Sequence, residues 1–328
     1  MPAMLGVAAI LSFIVAFAVL RILLWRFGNS VLDEPNARSL HERPVPRTGG
    51  IAILAGLAVS MAFGGLEIWV PLAAALALAA ISFLDDLHGM PTAARLAAHL
   101  CAAGVVAWHL LSPVDPVLLV VLVLAVAWIT NLYNFMDGSD GLAGGMAVAG
   151  FGAYGLAALL AGDEALAAVC WSLSAASAAF LLYNFHPARI FLGDVGSIPL
   201  GFLAGALGLA GWRDDVWPLW FPLLVFGPFI GDATLTLLKR ALRRERVWEA
   251  HREHYYQRLV RMGFGHRGTA LIIYAAMLVC GAVAVAGREQ PPLAQALYFG
   301  GASLGLAGIA AWVDLRWRRR ERGPEASA

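Results

Sequence analysis

The sequence predicts an all-α, polytopic integral membrane protein with about 10–11 transmembrane helices, on three observations. First, 60% of the 328 residues are hydrophobic and only 14% are charged, whereas soluble domains average about 25% charged residues. Second, the chain holds roughly eleven apolar segments close to the length of ~20 residues that a spanning helix needs. Third, lysine and arginine concentrate in alternate loops, as is typical of multi-pass membrane proteins.

The apolar segments follow one another closely, which leaves no room for a separate soluble domain. We therefore expect one integral membrane domain over residues 1–328. The first segment lacks a basic region and a small-residue cleavage site, so it is expected to be a retained helix. The ninth contains three prolines and is expected to be kinked or broken. The segments lie near 4–25, 50–65, 69–84, 95–111, 117–135, 142–161, 165–185, 197–212, 217–238, 268–287 and 292–313.

Positive charge lies mainly in the loops that follow odd-numbered segments. The other loops contain only Arg213 and Arg288. Because lysine and arginine accumulate on the cytoplasmic side of a membrane, we expect the N-terminus to face outward. The parts expected in the cytoplasm are the loops near 26–50, 85–95, 134–142, 186–197 and 239–267 and the basic tail 314–328.

Five aspartates lie at the cytoplasmic ends of predicted spans. Ionisable groups near a membrane are costly and are usually paired or functional. These carboxylates would repel one another unless a cation lay among them, and hard oxygen ligands suit Mg²⁺. Asn134 could add a carbonyl oxygen, and the eighth helix is expected to start near Ser197. The aspartates are Asp85 and Asp86 after the third span, Asp137 and Asp140 after the fifth, and Asp194 before the eighth.

Basic side chains on the same side suit a substrate rich in phosphate. His251 and His254 are spaced to share one helix face; a zinc pair is an alternative, although no thiolate accompanies them. A metal, phosphates and an apolar chain at one interface indicate phosphoryl transfer to a lipid. The other basic residues concerned are His41, Arg43, Arg47, Arg95, Arg189 and Arg252, of which Arg47, Arg95, Arg189 and Arg252 are expected to bind substrate.

Four motifs, in this order, resemble the polyprenyl-phosphate N-acetylhexosamine-1-phosphate transferases, the relatives of phospho-MurNAc-pentapeptide translocase. The motifs are FLDDLHG, NLYNFMDGSDGLAGG, FLGDVGS and HREHYYQRL. The first loop, EPNARSLHERPVPRTGG, resembles the branch that starts O-antigen or other surface polysaccharides. The chain differs from some relatives in carrying Arg95 where they have lysine. Its short HREH motif differs from the longer histidine run of the peptidoglycan branch, which counts against a muramyl-pentapeptide substrate.

The resemblance implies that a UDP-activated N-acetylhexosamine 1-phosphate passes to undecaprenyl (polyprenyl) phosphate with release of UMP. It implies Mg²⁺, with Mn²⁺ as an alternative metal, and a site facing the cytoplasm at the bacterial inner (plasma) membrane. Membrane lipids are expected partners, a homodimer is an assembly suggested by the resemblance alone, and no nucleic acid is expected. N-acetylglucosamine, N-acetylfucosamine and N-acetylquinovosamine all stay open. Direct attack is favoured over a covalent enzyme intermediate, which also stays open.

The resemblance also implies roles for individual residues. Asp194 would bind the metal, with Asn134 as a second contact. Asp85 and Asp86 would lie beside the lipid phosphate, where Asp85 assists its attack or deprotonation. The remaining predicted catalytic residues are Asp137 and Asp140, which would hold the nucleotide and the catalytic loop, and His251 and His254, which would contact the diphosphate or its leaving group.

Two other classes of protein compete with the transferase. A secondary transporter or channel with a cytoplasmic acidic cluster would place ionisable groups near the middle of the bilayer. Predicted spans such as 142–161 and 292–313 hold none at mid-depth, and the acids gather at one face. A non-catalytic scaffold would have no need of these acids. The pattern therefore favours the transferase.

Overall fold

The computed structural model describes residues 2–28, 32–33, 40, 44–61, 66–247, 249 and 251–322. His41 and Arg43 of the first predicted cytoplasmic loop lie outside the described residues, as does the end of the tail, 323–328. The described chain is mainly helical and contains one pair of two-residue strands, which confirms the all-α prediction. The elements are α1 (Pro2–Phe27), β1 (Leu32–Asp33), β2 (Val45–Pro46), α2 (Gly49–Met61), α3 (Leu66–His88), α4 (Thr92–Leu111), α5 (Pro116–Phe135), α6 (Leu142–Ala161), α7 (Glu164–Asn184), α8 (Asp194–Arg213), α9 (Trp220–Val225), α10 (Gly227–Leu242), α11 (Tyr255–Leu259), α12 (Gly265–Gly287) and α13 (Pro292–Glu321).

Nine helices within the described ranges are long and apolar enough to cross a membrane: α1, α3 to α8, α12 together with α11, and α13. The other two predicted spans are shorter elements. Helix α2 has 13 residues, and the ninth predicted span is divided at Phe226 into α9 and α10. The expected break is confirmed. Pro228 lies in the first turn of α10 and has no amide with which to continue the preceding helix.

Helix α8 lies at the centre of the bundle, and nearly all of its side chains are buried. It packs mainly against α5 and α3. Glycine permits a close approach to α5, because a Cβ on Gly201 would lie 2.6 Å from the Cβ of Tyr133 and 2.9 Å from the carbonyl oxygen of Ile129. Small residues at such crossings are typical of membrane helices. The approach brings the end of α5 beside the start of α8.

The chain before α2 is bound to the chain before α8. The amide of Phe191 donates to the carbonyl of Pro46 at 2.7 Å, and the amide of Gly50 donates to the carbonyl of Leu192 at 2.9 Å. A Cβ on Gly50 would lie 2.4 Å from the Cα of Gly196, so the two helix starts meet without intervening side chains. This contact and the β1–β2 pair carry the first loop to the start of α8.

Helix α13 lies at the edge of the bundle, where Val313 is its only buried residue. Its 30 residues make a rod of about 45 Å at ~1.5 Å per residue. The hydrocarbon core of a bilayer is about 30 Å thick. The final, arginine-rich turns of α13 therefore extend beyond the apolar layer.

Candidate active site

Asp194 is the first residue of α8. The preceding Gly193 has a φ of 71°, which favours glycine, and the amides of Gly196 and Ser197 both donate to its carbonyl at 2.9 Å. The prediction that this helix begins near Ser197 is wrong, because Gly193 turns the chain into the helix earlier. Asp194 thus lies in the first turn, where the unpaired amides of a helix stabilise an anion.

Asn134, at the end of α5, orients Asp194. Its side-chain amide nitrogen donates to Oδ1 of Asp194 at 2.8 Å and to Oγ of Ser197 at 2.9 Å. A hydrogen bond to a charged carboxylate is worth about 1.5–3 kcal/mol. Two polar motifs from different loops therefore meet at one point, while the predicted contact between Asn134 and a metal stays a prediction.

Asp137 lies near enough to Asp194 and to Asp33 of β1 for their charges to interact. Burial raises the pKa of the Asp137 carboxyl well above its usual range, and the charges of Asp194 and Asp33 raise it further. Sequence reasoning missed Asp33, because only the pairing of β1 with β2 brings the first loop to this position. The sequence feature that could have indicated Asp33 is its place as an acidic residue in a predicted cytoplasmic loop. Such mutual repulsion is what a bound cation would relieve.

The two aspartates at the end of α3 have different partners. Oδ1 of Asp85 accepts a backbone amide from the α3–α4 turn, and its Oδ2 lies 3.2 Å from the Arg95 guanidinium. Asp86 pairs with Arg47 at 3.4 Å and lies near enough to Asp194 for their charges to interact. Asp86 therefore belongs to the group around Asp194, whereas Asp85 fixes the turn into α4. The predicted role of Asp85 in the attack stays a prediction, and Asp86 is the better placed of the pair.

Asp33, Asp86, Asp137 and Asp194 form what we call the acidic cluster. Among the described residues no three His, Cys, Asp or Glu side chains converge as a metal-binding group. Mg²⁺ does not require such a cage, since it commonly binds one or two carboxylates and takes its other ligands from water and substrate phosphates. The oxygen donors and the raised pKa of Asp137 fit Mg²⁺ of this kind. Asp194 and Asp137 are the residues that would hold it.

Asp140 is buried, and its carboxylate is bound by the protein itself. Its Oδ2 accepts from Nδ1 of His186 at 2.7 Å and from the amide of Ala188 at 3.1 Å, and His266 of α12 lies 3.8 Å from Oδ1. These contacts join the turn after α5 to the loop before α8. A catalytic role for Asp140 stays a prediction; its contacts are those of a residue that positions the turn carrying Asp137.

His251 and His254 lie close together, with ring centroids 4.8 Å apart. The prediction that they share a helix face is wrong, because both precede α11 and His254 caps its start. The ring of His254 stacks beside Phe135, the last residue of α5, at 6.4 Å. Burial, the neighbouring His254 and the charge of Arg240 lower the pKa of His251 to about 4. His251 is therefore a neutral hydrogen-bonding group at neutral pH.

Asp232 of α10 is a buried carboxylate that sequence reasoning missed. Its Oδ1 accepts from Nδ1 of His254 at 3.1 Å and from the amide of Tyr255 at 2.9 Å, and its Oδ2 accepts from the amide of Tyr256 at 2.9 Å. Asp232 thereby fixes both the start of α11 and the orientation of His254. The signal was present in the sequence, since Asp232 is an acid inside a predicted span.

The four predicted substrate-binding arginines do not all gather at the acidic cluster. Arg47 and Arg95 pair with the aspartates of α3, as described above. Arg189 is exposed, with its guanidinium 5.6 Å from the ring centroid of Tyr183. Arg252 lines a basic cavity beside α13 whose lining includes none of the cluster's aspartates. Substrate binding by each of these arginines stays a prediction.

Similar sequences among known proteins identify the family of this chain. Residues 68–212 match glycosyl transferase family 4. The chain is 30% identical over 322 residues to the decaprenyl-phosphate N-acetylglucosaminephosphotransferase of Mycolicibacterium smegmatis, covering 83% of this chain and 78% of the relative. The chain belongs to this family. The expected resemblance to polyprenyl-phosphate N-acetylhexosamine-1-phosphate transferases is confirmed.

Two further family members have similar coverage. The chain is 29% identical to the probable undecaprenyl-phosphate N-acetylglucosaminyl 1-phosphate transferase of Bacillus subtilis, with 74% of this chain and 73% of the relative aligned. It is 26% identical to the undecaprenyl-phosphate alpha-N-acetylglucosaminyl 1-phosphate transferase of Escherichia coli, with 78% and 76% aligned. Membership of glycosyl transferase family 4 and the apolar helices identify a multi-pass bacterial membrane transferase. They favour it over the transporter, channel and scaffold alternatives.

Proposed function

We propose that this protein transfers N-acetylhexosamine 1-phosphate from a UDP-linked donor to undecaprenyl phosphate, releases UMP and so starts O-antigen or another surface polysaccharide. The observation that carries the proposal is the acidic cluster at one end of an apolar bundle, drawn together from α3, α5, α8 and the first loop. Relatives named for undecaprenyl or decaprenyl phosphate and N-acetylglucosamine support the acceptor and the sugar class.

The proposed reaction is a direct attack. An oxygen of the lipid phosphate forms a bond to the β-phosphorus of the UDP-sugar, and the bond from that phosphorus to the bridging oxygen breaks. The bond electrons leave with UMP, so no covalent enzyme intermediate is required. Bound Mg²⁺, or Mn²⁺ in its place, would neutralise the diphosphate charge. Arg47, beside Asp86, would screen the approach of the lipid phosphate to the acids.

In this proposal the histidines act on the departing phosphate of UMP. Because Nδ1 of His254 is held by Asp232, Nε2 remains to take a proton and donate it to the departing phosphate. His251 accepts or relays a hydrogen bond as a neutral ring, since its pKa is about 4. Phe135 lies beside His254 and comes two residues before Asp137, so the histidines approach the turn that carries Asp137.

The proposal also covers the orientation of the protein in the membrane and its assembly as a dimer. The polar end of the bundle faces the cytoplasm, in support of which the loops at this end carry most of the lysine and arginine. A homodimer is proposed from the family resemblance alone.

The test uses purified protein reconstituted with undecaprenyl phosphate and supplied separately with UDP-N-acetylglucosamine, UDP-N-acetylfucosamine and UDP-N-acetylquinovosamine. UMP release that depends on both substrates, stops with EDTA and returns with Mg²⁺ is expected. Asp194→Asn should lose at least about 100-fold in kcat, as for removal of one key transition-state contact. The matched control is Asp163→Asn, at the other end of the bundle, where the carboxylate only caps α7. Full activity in Asp194→Asn, or no UMP from any donor, would contradict the proposal.

A further inference from the structure

A basic cavity of about 540 Å³ lies between the ends of α10 and α13 and the segment 252–261. Six cationic side chains and three carboxylates line it, which leaves a surplus of positive charge. Neither the acidic cluster nor the histidines contribute to its wall, so the proposed transferase chemistry does not account for it. The cations are Lys239, Arg243, Arg252, Arg258, Arg261 and Arg318.

Part of this charge is already balanced within the wall. Arg258 lies 2.9 Å from Oδ1 of Asp314, and Lys239 binds the other oxygen of the same carboxylate. Among the described residues Arg261 and Arg318 have no carboxylate within ion-pair distance, and both line the cavity. An arginine without a carboxylate partner suits a phosphate, to which it can donate two parallel hydrogen bonds.

Trp317 holds part of the wall in shape. The guanidinium of Arg261 lies 4.9 Å from the centroid of its ring, and that of Arg258 lies at 5.8 Å. The indole nitrogen of Trp317 donates to Glu321 at 2.7 Å, which fixes the ring. Stacking of this kind orients a guanidinium before a ligand arrives. The cations are therefore arranged around a space of the size of a small-ligand pocket.

The position of the cavity favours a lipid over a soluble anion. It lies where α13 leaves the apolar layer, and tryptophan at such a position is typical of the membrane interface. Leu242, in the cavity wall, is 76% exposed, and Leu238 and Leu315 on the adjoining turns are 52% and 58% exposed. A headgroup in the cavity would lay its acyl chains over these leucines. A free phosphate would make no use of them.

We propose that this cavity binds the phosphodiester headgroup of an anionic phospholipid of the phosphatidylglycerol class. The bound lipid joins the peripheral helix α13 to α10 and to the segment that leads into α11. Basic recesses between helices at a membrane surface bind anionic lipids in this manner. The site is independent of the transferase reaction, and its test does not require that reaction.

The experiment measures lipid binding to delipidated, detergent-solubilised full-length protein by native mass spectrometry. Phosphatidylglycerol, zwitterionic phosphatidylcholine and inorganic phosphate are titrated separately. The test variant is Arg261→Gln with Arg318→Gln, and the matched control is Arg319→Gln with Arg322→Gln, two exposed residues of the same tail outside the cavity lining. Both variants lose the same charge, and a melting curve of each shows that it is folded.

The wild type and the control should retain one phosphatidylglycerol more tightly than phosphatidylcholine. The test variant should bind it roughly 30-fold more weakly, from the contribution of two arginines at a membrane surface. Equal weakening in both variants would mean general surface attraction and would overturn the proposal. Unchanged binding in the test variant, or saturation by inorganic phosphate as readily as by the lipid, would overturn it as well.

Discussion

Replacement of Asp232 by asparagine tests whether this buried carboxylate acts through His254. The change keeps the shape of the side chain and converts one oxygen into an amide donor. If the remaining oxygen accepts from His254 and Tyr255, the amide group faces the backbone N–H of Tyr256 and that hydrogen bond is lost. A charge-assisted hydrogen bond is worth about 1.5–3 kcal/mol. We therefore expect the free energy of unfolding to fall by about 2–3 kcal/mol.

The same substitution should lower activity beyond its effect on stability. The bond to His254 also weakens, because a neutral amide oxygen replaces a charged carboxylate oxygen as its acceptor. If this costs about 2 kcal/mol of the interaction that holds His254 in its reactive orientation, kcat should fall about 30-fold. The KM values should change little, because the histidine acts on the leaving group. The measurements are UMP release at saturating substrate, well below the melting temperature, and a thermal melt of the same sample. Thr236→Val is the matched control, since it removes only a longer hydrogen bond of 3.3 Å to the same carboxylate.

A double variant can refute the idea that Asp232 acts through His254. If Asp232 acts through His254, then Asp232→Asn combined with His254→Gln should be no less active than His254→Gln alone. Losses that simply add would show that the two residues act separately. Loss of activity that parallels loss of folded protein in every sample would reduce Asp232 to a structural support.

Three further predictions concern the acidic cluster and its surroundings. Asn134→Leu should lower kcat by more than tenfold while the protein stays folded, because Asp194 loses its amide donor. Gly193→Ala should destabilise the protein by at least about 2 kcal/mol, since alanine is strained at a φ of 71°, whereas Gly104→Ala, with open space around its Cβ, should not. The pKa of His251 is about 4 in the fold against 6.5 for an ordinary histidine. Its stabilising contribution is therefore complete above pH 6.5 and lost as the pH falls toward 4, and His251→Gln should flatten that part of the melting-temperature profile.

Each of these three has an outcome that would count against it. For Asn134, activity close to wild type would mean that Asp194 is oriented by other contacts. For Gly193, equal melting temperatures in both alanine variants would show that the turn relaxes without strain. For His251, a His251→Gln variant with the same melting-temperature profile as the wild type between pH 6.5 and 4 would contradict the prediction. It would show that the ring is as well solvated in the folded protein as in the unfolded one.

Much of the bundle could be predicted because apolar length and flanking residues specify it. The fifth and sixth spans were expected at 117–135 and 142–161, and the helices run Pro116–Phe135 and Leu142–Ala161. Proline is the first residue of α5 and glycine immediately precedes α6, so local chemistry fixes both starts. The gathering of Asp86, Asp137 and Asp194 at one end followed from the same reasoning, since each lies at a predicted span end, whereas Asp33 lies within the first loop and was missed.

What could not be predicted depends on contacts between elements distant in sequence. His251 and His254 have helical spacing, yet they precede α11 because His254 caps it and Asp232 binds the amides that follow. The α8 boundary depended on the backbone conformation of Gly193, for which the sequence alone offers several alternatives. The separation of Arg252 from the acidic cluster depends on the direction of its side chain within one loop, which periodicity does not encode.

The hydrogen bonds between the chain before α2 and the chain before α8 limit how far the segment that matches the family can be treated as a module. The family match begins at residue 68 and ends at 212, but Gly50 binds the backbone at Leu192 from outside it. Grafting residues 68–212 onto another bundle would carry most of the acids without the support that sets the start of α8. During biosynthesis, too, the acids can assemble only after the chain before α8 has been made, because Pro46 and Gly50 bind it from a part synthesised much earlier. The site can therefore form only after α8 has been synthesised.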